Sequence, residues 1–205
     1  PVDQNLCNEY YQINVASLEE VEILGMKLRS TPVEILINSH QYKPQGFLDA
    51  DLFTMDFEMW RSIIDVNLSG TYLTSRLFAK EMVSRKSGCI INFASTYAVV
   101  SSNPDLYESS SMGNPVAYSA SKGGVIALTR YFSAYLGQYG VRANCITPHG
   151  VSNNHEQAFV DRFSAKSPLK RLMEPDEIIP AIDMLIHGSY VTGTNIMVDG
   201  GWTAW

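Results

Sequence analysis

The chain has 205 residues, 45% of them hydrophobic, which is enough for one domain with a sizeable core over residues 1–205. Fifteen Lys and Arg against 21 Asp and Glu give a net charge of −6, which argues against a nucleic-acid partner or an anionic membrane surface. No apolar stretch approaches the roughly 20 residues that cross a bilayer. Three scattered cysteines without a CxxC pair favour a reducing, cytoplasmic location, and the four histidines show no metal-binding spacing.

The first half of the chain alternates short apolar runs with longer helical patterns. In chain order it is predicted to form a strand (YYQINV, 10–15), a helix (17–30), a strand (VEILIN, 33–38), a long helix (56–85) and a strand (GCIINFA, 88–94). The first helix opens with Ser17 and Glu20, the pattern of a capping box. Three of these strands are therefore expected before the middle of the chain.

The second half continues the same alternation. A long segment rich in Ser, Asn, Pro and Gly (97–114) is predicted to be a functional loop. It is followed by a helix (115–138), a strand (VRANCIT, 141–147), a helix (174–188) that Pro180 is expected to bend, and a last strand (NIMVDG, 195–200). This alternation predicts an α/β fold, a doubly wound parallel sheet of the Rossmann-like kind.

Tyr118 and Lys122 are spaced to share one face at the start of the helix over 115–138. An ammonium one turn away favours the phenolate, so it is expected to lower the pKa of the tyrosine. A tyrosine tuned in this way can act as a general acid or base. Alone, the pair is a weak signal, since a surface lysine beside a half-buried tyrosine is common.

Three other polar positions strengthen that interpretation. Ser95 ends a buried strand at the edge where parallel sheets bind ligands, and Pro148 ends another. Asn67 lies inside a helical pattern, where an amide is unfavourable unless it has a partner.

The combination of motifs resembles the short-chain dehydrogenase/reductase family across nearly the whole chain. The motifs are YxxxK at Tyr118 and Lys122, the strand-end Ser95, Asn67 in VNLSG, RANCITP and SYVTG…VDGGW. The resemblance implies a catalytic tetrad of Asn67, Ser95, Tyr118 and Lys122, with Tyr118 as general acid/base and Ser95 holding the substrate oxygen. It also implies that Lys122 lowers the tyrosine pKa and binds the nicotinamide ribose, and that Asn67 holds a water linked to the lysine.

The resemblance implies NAD or NADP as the cofactor, without deciding between them. Contacts to it are expected from a set of residues at the strand ends and in the helix: Asn14, Val15, Asn38, Tyr118, Lys122, Pro148 and Val151. Three motifs depart from the family pattern. Asn14-Val15 stands for Asp-Val, NSHQ (38–41) for NNAG, and Pro148-His149 for Pro-Gly, where a positive φ would be costly for a histidine.

The glycine-rich turn that receives the dinucleotide pyrophosphate in this family has no counterpart in the sequence. We therefore expect that N-terminal strand–helix units, roughly 50–60 residues by the size of two such units, precede Pro1 in a longer gene product.

The resemblance leaves the substrate and the net chemistry open. The segment from Ser95 to Tyr118 is long, and with PHGVSNNHEQ it resembles a subgroup in bacterial surface-sugar and flagellin modification. Its Tyr107 and Glu108 suit a polyhydroxylated small molecule as substrate, or else belong to an ordinary solvated loop. Alternatives to a simple oxidoreductase are a nicotinamide-recycling dehydratase or epimerase, and a non-catalytic assembly subunit.

A homodimer or homotetramer is also expected from the resemblance, because the helices over 56–85 and 115–138 carry more apolar surface than one side of a sheet covers. Candidate contact residues are Leu73, Leu77, Tyr131, Tyr135, Trp202 and Trp205.

Overall fold

The computed structural model describes residues 9–103, 106–107 and 116–205. Its helices and strands are α1 (Leu18–Leu28), β1 (Ile35–Asn38), α2 (Phe57–Ile64), a π-helical turn (Asp65–Ser69), α3 (Gly70–Arg85), β2 (Gly88–Phe93), α4 (Val116–Leu136), β3 (Val141–Pro148), α5 (Gln157–Ala165), α6 (Ile179–His187) and β4 (Asn195–Val198). Short 3₁₀ turns lie at Thr96–Ala98, Gly137–Tyr139, Pro175–Ile178 and Trp202–Ala204. Within these described ranges no helix has the length and apolar character needed to span a membrane.

The four strands form one parallel sheet in the order β1-β2-β3-β4. One face of the sheet packs against α1, α3 and α4 through a core that includes Ile90, Met82 and Phe132. The other face packs against α6 through a second core around Ile91 and Leu185. Helices therefore cover both faces, and the predicted doubly wound parallel sheet is confirmed.

The prediction of a strand over 10–15 is wrong. The described residues of this segment form the entry to α1 instead, because their polar groups bond to the start of that helix. The backbone N–H of Asn14 donates to a Glu20 carboxylate oxygen (2.8 Å), and the Asn14 side chain accepts from the backbone N–H of Ala16 (3.0 Å). Ser17 caps the helix by accepting from the Glu20 N–H (3.3 Å), so only this half of the predicted capping box forms as expected.

The long helix predicted over 56–85 is present, but a π-helical turn at Asp65–Ser69 divides it into α2 and α3. Such a turn inserts one extra residue and is frequent at functional sites. Gly70 follows it at a point of close approach, where an added Cβ would lie 2.8 Å from Cγ2 of Val15. The turn brings Asn67 to a fully buried position.

Two features of the second half differ from the prediction. Helix α5 was not predicted, since its sequence QAFVDRFSA is short and opens without a side-chain cap. The helix predicted over 174–188 is divided into the 3₁₀ turn Pro175–Ile178 and α6. Pro180 lies in the first turn of α6, where its missing N–H costs nothing, so it starts a helix rather than bending one.

Candidate active site

Ser95 and Tyr118 meet at the carboxyl edge of the sheet. Ser95 lies two residues beyond β2, and its hydroxyl accepts a hydrogen bond from the Tyr97 N–H at 3.3 Å. Tyr118 lies in the first turn of α4, and its interaction with the Ser95 side chain lowers its pKa. Burial acts in the opposite direction and is the stronger cause, so the pKa of Tyr118 lies above its ordinary value.

Lys122 is buried one turn further along α4, with 3% of its surface exposed. Its Nζ donates to the carbonyl oxygen of Phe93 at 2.9 Å and lies 5.9 Å from the centroid of the Tyr118 ring. Burial lowers the pKa of Lys122 to about 8.

The expectation of a lowered pKa for Tyr118 is wrong for the net value, which burial raises, and a lowering effect of Lys122 stays a prediction. The ammonium points toward a backbone carbonyl, and the loss of water around the phenol dominates its titration. A phenol with a raised pKa is protonated at neutral pH and is a competent proton donor.

Asn67 is fully buried in the π-helical turn and connects two segments of the site. Its Oδ1 accepts from the Tyr42 N–H (2.8 Å), and its Nδ2 donates to the Ser121 hydroxyl (3.1 Å). The Ser121 hydroxyl in turn donates to the Tyr118 carbonyl at 2.8 Å. Asn67 thus fixes the start of α4, which carries Tyr118 and Lys122.

His40 is a residue of the site that sequence reasoning noted only as a departure from the family pattern. Its Nε2 lies 3.2 Å from the Thr71 hydroxyl, which donates to the Asn67 carbonyl at 2.8 Å. Burial, and next the charge of Lys122, lower the pKa of His40 to about 4. We call His40, Asn67, Thr71, Ser121 and Lys122 the polar network. The sequence signal was a histidine two residues after a strand end.

The predicted cofactor residues at the start of the sheet have other contacts in the structure. The Asn38 side chain donates to Ser75 and Asn92 (both 2.9 Å) and accepts from Thr74, inside the fold. Asn14 is exposed and bonded to the start of α1, and Val15 is half-buried near Gly70. A cofactor contact by these residues stays a prediction.

The strand end at Pro148 places a histidine where the family pattern has glycine. Among the described residues, the positive φ values outside glycine occur at Lys86 and Lys170, so His149 carries no such strain. The glycine is needed one residue later, since a Cβ on Gly150 would lie 2.7 Å from Cε1 of Phe163. Val151, the other predicted cofactor residue of this segment, is 36% exposed and forms a bridge with Met173.

Next to Ser95 lies a group of rings that we call the aromatic cluster: Tyr97, Tyr107, Phe159, Phe163 and Trp202. The Tyr97 ring meets Phe163 and Trp202 edge-on, with centroid distances of 6.2 and 5.9 Å. Phe163 contacts Trp202 at 5.1 Å and Phe159 at 5.0 Å. The Tyr97 and Tyr107 hydroxyls are 2.5 Å apart. Glu108, which the sequence placed in the same loop, lies outside the described residues.

The donors of Lys122 suit a nicotinamide dinucleotide. An ammonium has three N–H bonds, and within the described part of the chain the Phe93 carbonyl is the acceptor that Nζ reaches. Ribose hydroxyls are acceptors of the right kind for the remaining protons. No three His, Cys, Asp or Glu side chains of the described residues are grouped to hold a metal ion.

The sequence matches, over residues 1–203, the protein family described as Enoyl-(Acyl carrier protein) reductase. A galactitol 2-dehydrogenase of Rhizobium johnstonii is 31% identical over 184 residues, which are 85% of this chain and 66% of that protein, so the chain spans just under two thirds of that relative.

Two solved structures resemble the fold closely. A short chain dehydrogenase from Leptospira borgpetersenii serovar Hardjo-bovis with bound NAD+ has a TM-score of 0.90 and 28% identity, covering 99% of this chain and 79% of that one. A gluconate 5-dehydrogenase from Burkholderia cenocepacia, in complex with NADP and tartrate, has a TM-score of 0.82 and 25% identity over 94% of this chain and 74% of that one.

Proposed function

Because the chain belongs to the short-chain dehydrogenase/reductase family, we propose that it is an NAD(P)-dependent oxidoreductase that acts on a hydroxylated, carbohydrate-like substrate. It would transfer a hydride between the nicotinamide and a secondary alcohol or its carbonyl. The observation that carries the proposal is the position of the buried Tyr118 beside the Ser95 side chain, with Lys122 one turn away on α4.

Tyr118 is the proton donor or acceptor of this mechanism. In the reducing direction its protonated phenol gives a proton to the substrate oxygen as the carbonyl becomes an alcohol. In the oxidising direction the phenolate takes the hydroxyl proton. Ser95 would donate a hydrogen bond to the same substrate oxygen, since its side chain lies beside the phenol of Tyr118.

Lys122 binds the cofactor in this proposal, and the other members of the polar network fix the start of α4, which carries Lys122. The ammonium would bind the nicotinamide ribose hydroxyls while retaining the Phe93 carbonyl. When bound, NAD or NADP supplies the hydride or accepts it. Asn67 and Ser121 keep the first turns of α4 in place, so that the phenol and the ammonium stay on one side of the helix.

The carbohydrate-like substrate is supported by relatives that are named as galactitol and gluconate dehydrogenases. The phenol groups of the aromatic cluster beside Ser95 are the kind of donors that hydroxylated substrates use. A role in surface-sugar biosynthesis is consistent with this chemistry.

We also propose a homo-oligomer in a reducing, cytoplasmic compartment. The outer faces of α3 and α4 expose rings, with Tyr72, Tyr131 and Tyr135 each 44 to 63% exposed. Tyr131 and Tyr135 stack at a centroid distance of 6.1 Å and form an apolar patch suited to a second copy. Leu77 is excluded from this patch because it packs against Gly25 of α1. Cys89 and Cys145 are free and buried.

Replacing Tyr118 with phenylalanine tests the function. The variant keeps the ring and loses the proton, so turnover of a polyol such as galactitol with NAD or NADP should fall by about a thousandfold. Cofactor affinity, measured by fluorescence titration, should stay within about twofold, since Lys122 is unchanged.

Tyr190→Phe is the matched control, because Tyr190 is fully exposed and lies outside the patch proposed to contact a second copy. Turnover should be the same as in the wild type. Retention of near wild-type turnover by Tyr118→Phe would remove the general acid/base role.

A further inference from the structure

We propose that the paired hydroxyls of Tyr97 and Tyr107 are a subsite for a second substrate oxygen, one carbon away from the reacting alcohol. The subsite makes the enzyme selective for vicinal diols and hydroxy ketones over simple alcohols and ketones. This inference rests on the proposed function, because it names the substrate class of the same site.

The two phenols come from separate segments and converge. Tyr97 belongs to the 3₁₀ turn Thr96–Ala98 directly after Ser95, and Tyr107 belongs to the long loop that follows. Their hydroxyl oxygens are 2.5 Å apart, a short distance for two neutral groups. Both side chains are half-buried, so they are in reach of a ligand that enters beside Ser95.

The pair is adjacent to the reacting group. The backbone N–H of Tyr97 donates to the Ser95 hydroxyl at 3.3 Å, and the Ser95 side chain lies close enough to Tyr118 to lower the pKa of its phenol. Electrostatic interaction with Tyr118 also raises the pKa values of both Tyr97 and Tyr107. A substrate oxygen held between Ser95 and Tyr118 therefore has this pair as its neighbour.

The aromatic cluster fixes the pair before any substrate arrives. The Tyr97 ring is held edge-on by Phe163 and Trp202, and the Tyr107 ring lies 6.2 Å from Phe159. The segment that carries Tyr107 is anchored where Arg162 Nε donates to the Leu106 carbonyl at 3.0 Å. Donors that are already ordered bind a ligand at a lower entropic cost.

The chemistry of the pair selects a neutral oxygen. Burial is the largest cause of the raised pKa of both phenols, to about 12 for Tyr107, so both remain protonated at neutral pH. A phenol oxygen that accepts one hydrogen bond has a second lone pair, which can accept another. A hydroxyl group is therefore the best ligand, because it has a proton to donate to the pair.

The test compares two substrates that share one carbon skeleton, 2,3-butanediol and 2-butanol, in the intact enzyme with saturating nicotinamide cofactor. The variants are Tyr97→Phe, Tyr107→Phe and the double variant, which keep the rings and remove the hydroxyls. Each single variant should reduce kcat/KM for the diol about tenfold or more, because the variant pocket loses a hydrogen bond to the second oxygen. For 2-butanol kcat/KM should stay within about twofold.

Binding provides a readout that does not depend on turnover. A ligand-observed NMR titration of the diol should show about tenfold weaker binding to the double variant than to the wild type. Tyr190→Phe is the matched control, since Tyr190 is fully exposed, and it should bind the diol as the wild type does.

The outcomes separate this inference from the proposed function. If the enzyme oxidises both alcohols and the variants leave their ratio unchanged, the subsite is rejected and the proposed function stands. An equal loss on both substrates also rejects the subsite, because the hydroxyls would then act on Tyr118. If neither alcohol is oxidised but the diol binds in a manner that depends on both tyrosines, the subsite stands and the proposed function fails. Absence of diol binding to the wild type rejects the subsite.

Discussion

The polar network and the aromatic cluster both adjoin Ser95 and Tyr118, and they are held together by different kinds of interaction. The polar network is a chain of hydrogen bonds that runs from His40 through Thr71 and Asn67 to Ser121, which bonds to the Tyr118 backbone. The aromatic cluster is joined by ring contacts and meets the pair through the Tyr97 N–H.

The difference shows how one site positions two kinds of group. A buried hydrogen-bond network fixes orientation, and each of its members is costly to remove because a partner is left without a bond. Ring packing fixes position through contact area and depends on volume rather than direction. The network therefore suits a cofactor that requires a charged, oriented lysine, and the cluster suits a shaped substrate pocket.

The largest expected effect is on the aromatic cluster. Phe163 is 5% exposed and contacts Tyr97, His149, Phe159 and Trp202, so Phe163→Ala opens a cavity. The free energy of unfolding in urea should fall by about 3–5 kcal/mol. Cofactor affinity should fall less than diol affinity, because Phe163 packs within the aromatic cluster, whereas Lys122 is held at the start of α4.

Phe53→Ala is the control for this experiment, since Phe53 is 90% exposed. Its free energy of unfolding should change by about 0.5 kcal/mol or less. A loss of cofactor affinity in Phe163→Ala larger than its loss of diol affinity would show that the two regions are not separate.

A smaller effect concerns the charge in the polar network. Burial lowers the pKa of Lys122 from 10.5 to about 8, so between these values the unfolded chain binds more protons than the folded one. The free energy of unfolding of the wild type, relative to Lys122→Met, should therefore rise by about 2 kcal/mol between pH 8 and pH 10.

The comparison with Lys122→Met cancels groups that titrate in the same window. Burial raises the pKa of Cys145 to about 11, which makes the wild-type protein less stable as the pH rises above 9. The charge of Lys122 lowers the pKa of this thiol, so the comparison is made between two proteins that both carry Cys145→Ala. A difference curve that is flat or that falls with pH would show that Lys122 is not held in a desolvated position.

The smallest expected effect is at Thr71, whose hydroxyl donates to the Asn67 carbonyl and lies near His40. Thr71→Val keeps the shape and removes the hydrogen bonds, so the free energy of unfolding should fall by about 1 kcal/mol. Thr31→Val, at an exposed position before β1, should change it by about 0.5 kcal/mol or less. Equal effects at both positions would mean that the hydrogen bonds of Thr71 contribute nothing to the free energy of unfolding.

Much of the fold was predictable because its signals are local. The strands over 33–38, 88–94, 141–147 and 195–200 were recognised from their continuous apolar character, and β1 to β4 lie within them or, for β3, one residue beyond. The segment over 10–15 was also predicted to be a strand, but it forms none, because Asn14 bonds to the start of α1.

The candidate site was predictable where spacing alone brings residues together. Tyr118 and Lys122 share a side of α4 because they are four residues apart, and Ser95 follows the end of β2, at the edge where ligands bind. The direction of the Tyr118 pKa was not predictable, because it depends on burial by side chains from distant parts of the chain, such as Phe47.

By itself, the sequence determined the parallel sheet through its periodicity. Its motifs, in their order along the chain, determined the family and the choice of Asn67, Ser95, Tyr118 and Lys122 as candidate catalytic residues. Only the tertiary structure decided that Asn38 bonds within the fold, that His40 joins Thr71, and that Tyr97 meets Tyr107. The physical reason is that hydrogen bonds between separate segments depend on distances and directions that no local pattern encodes.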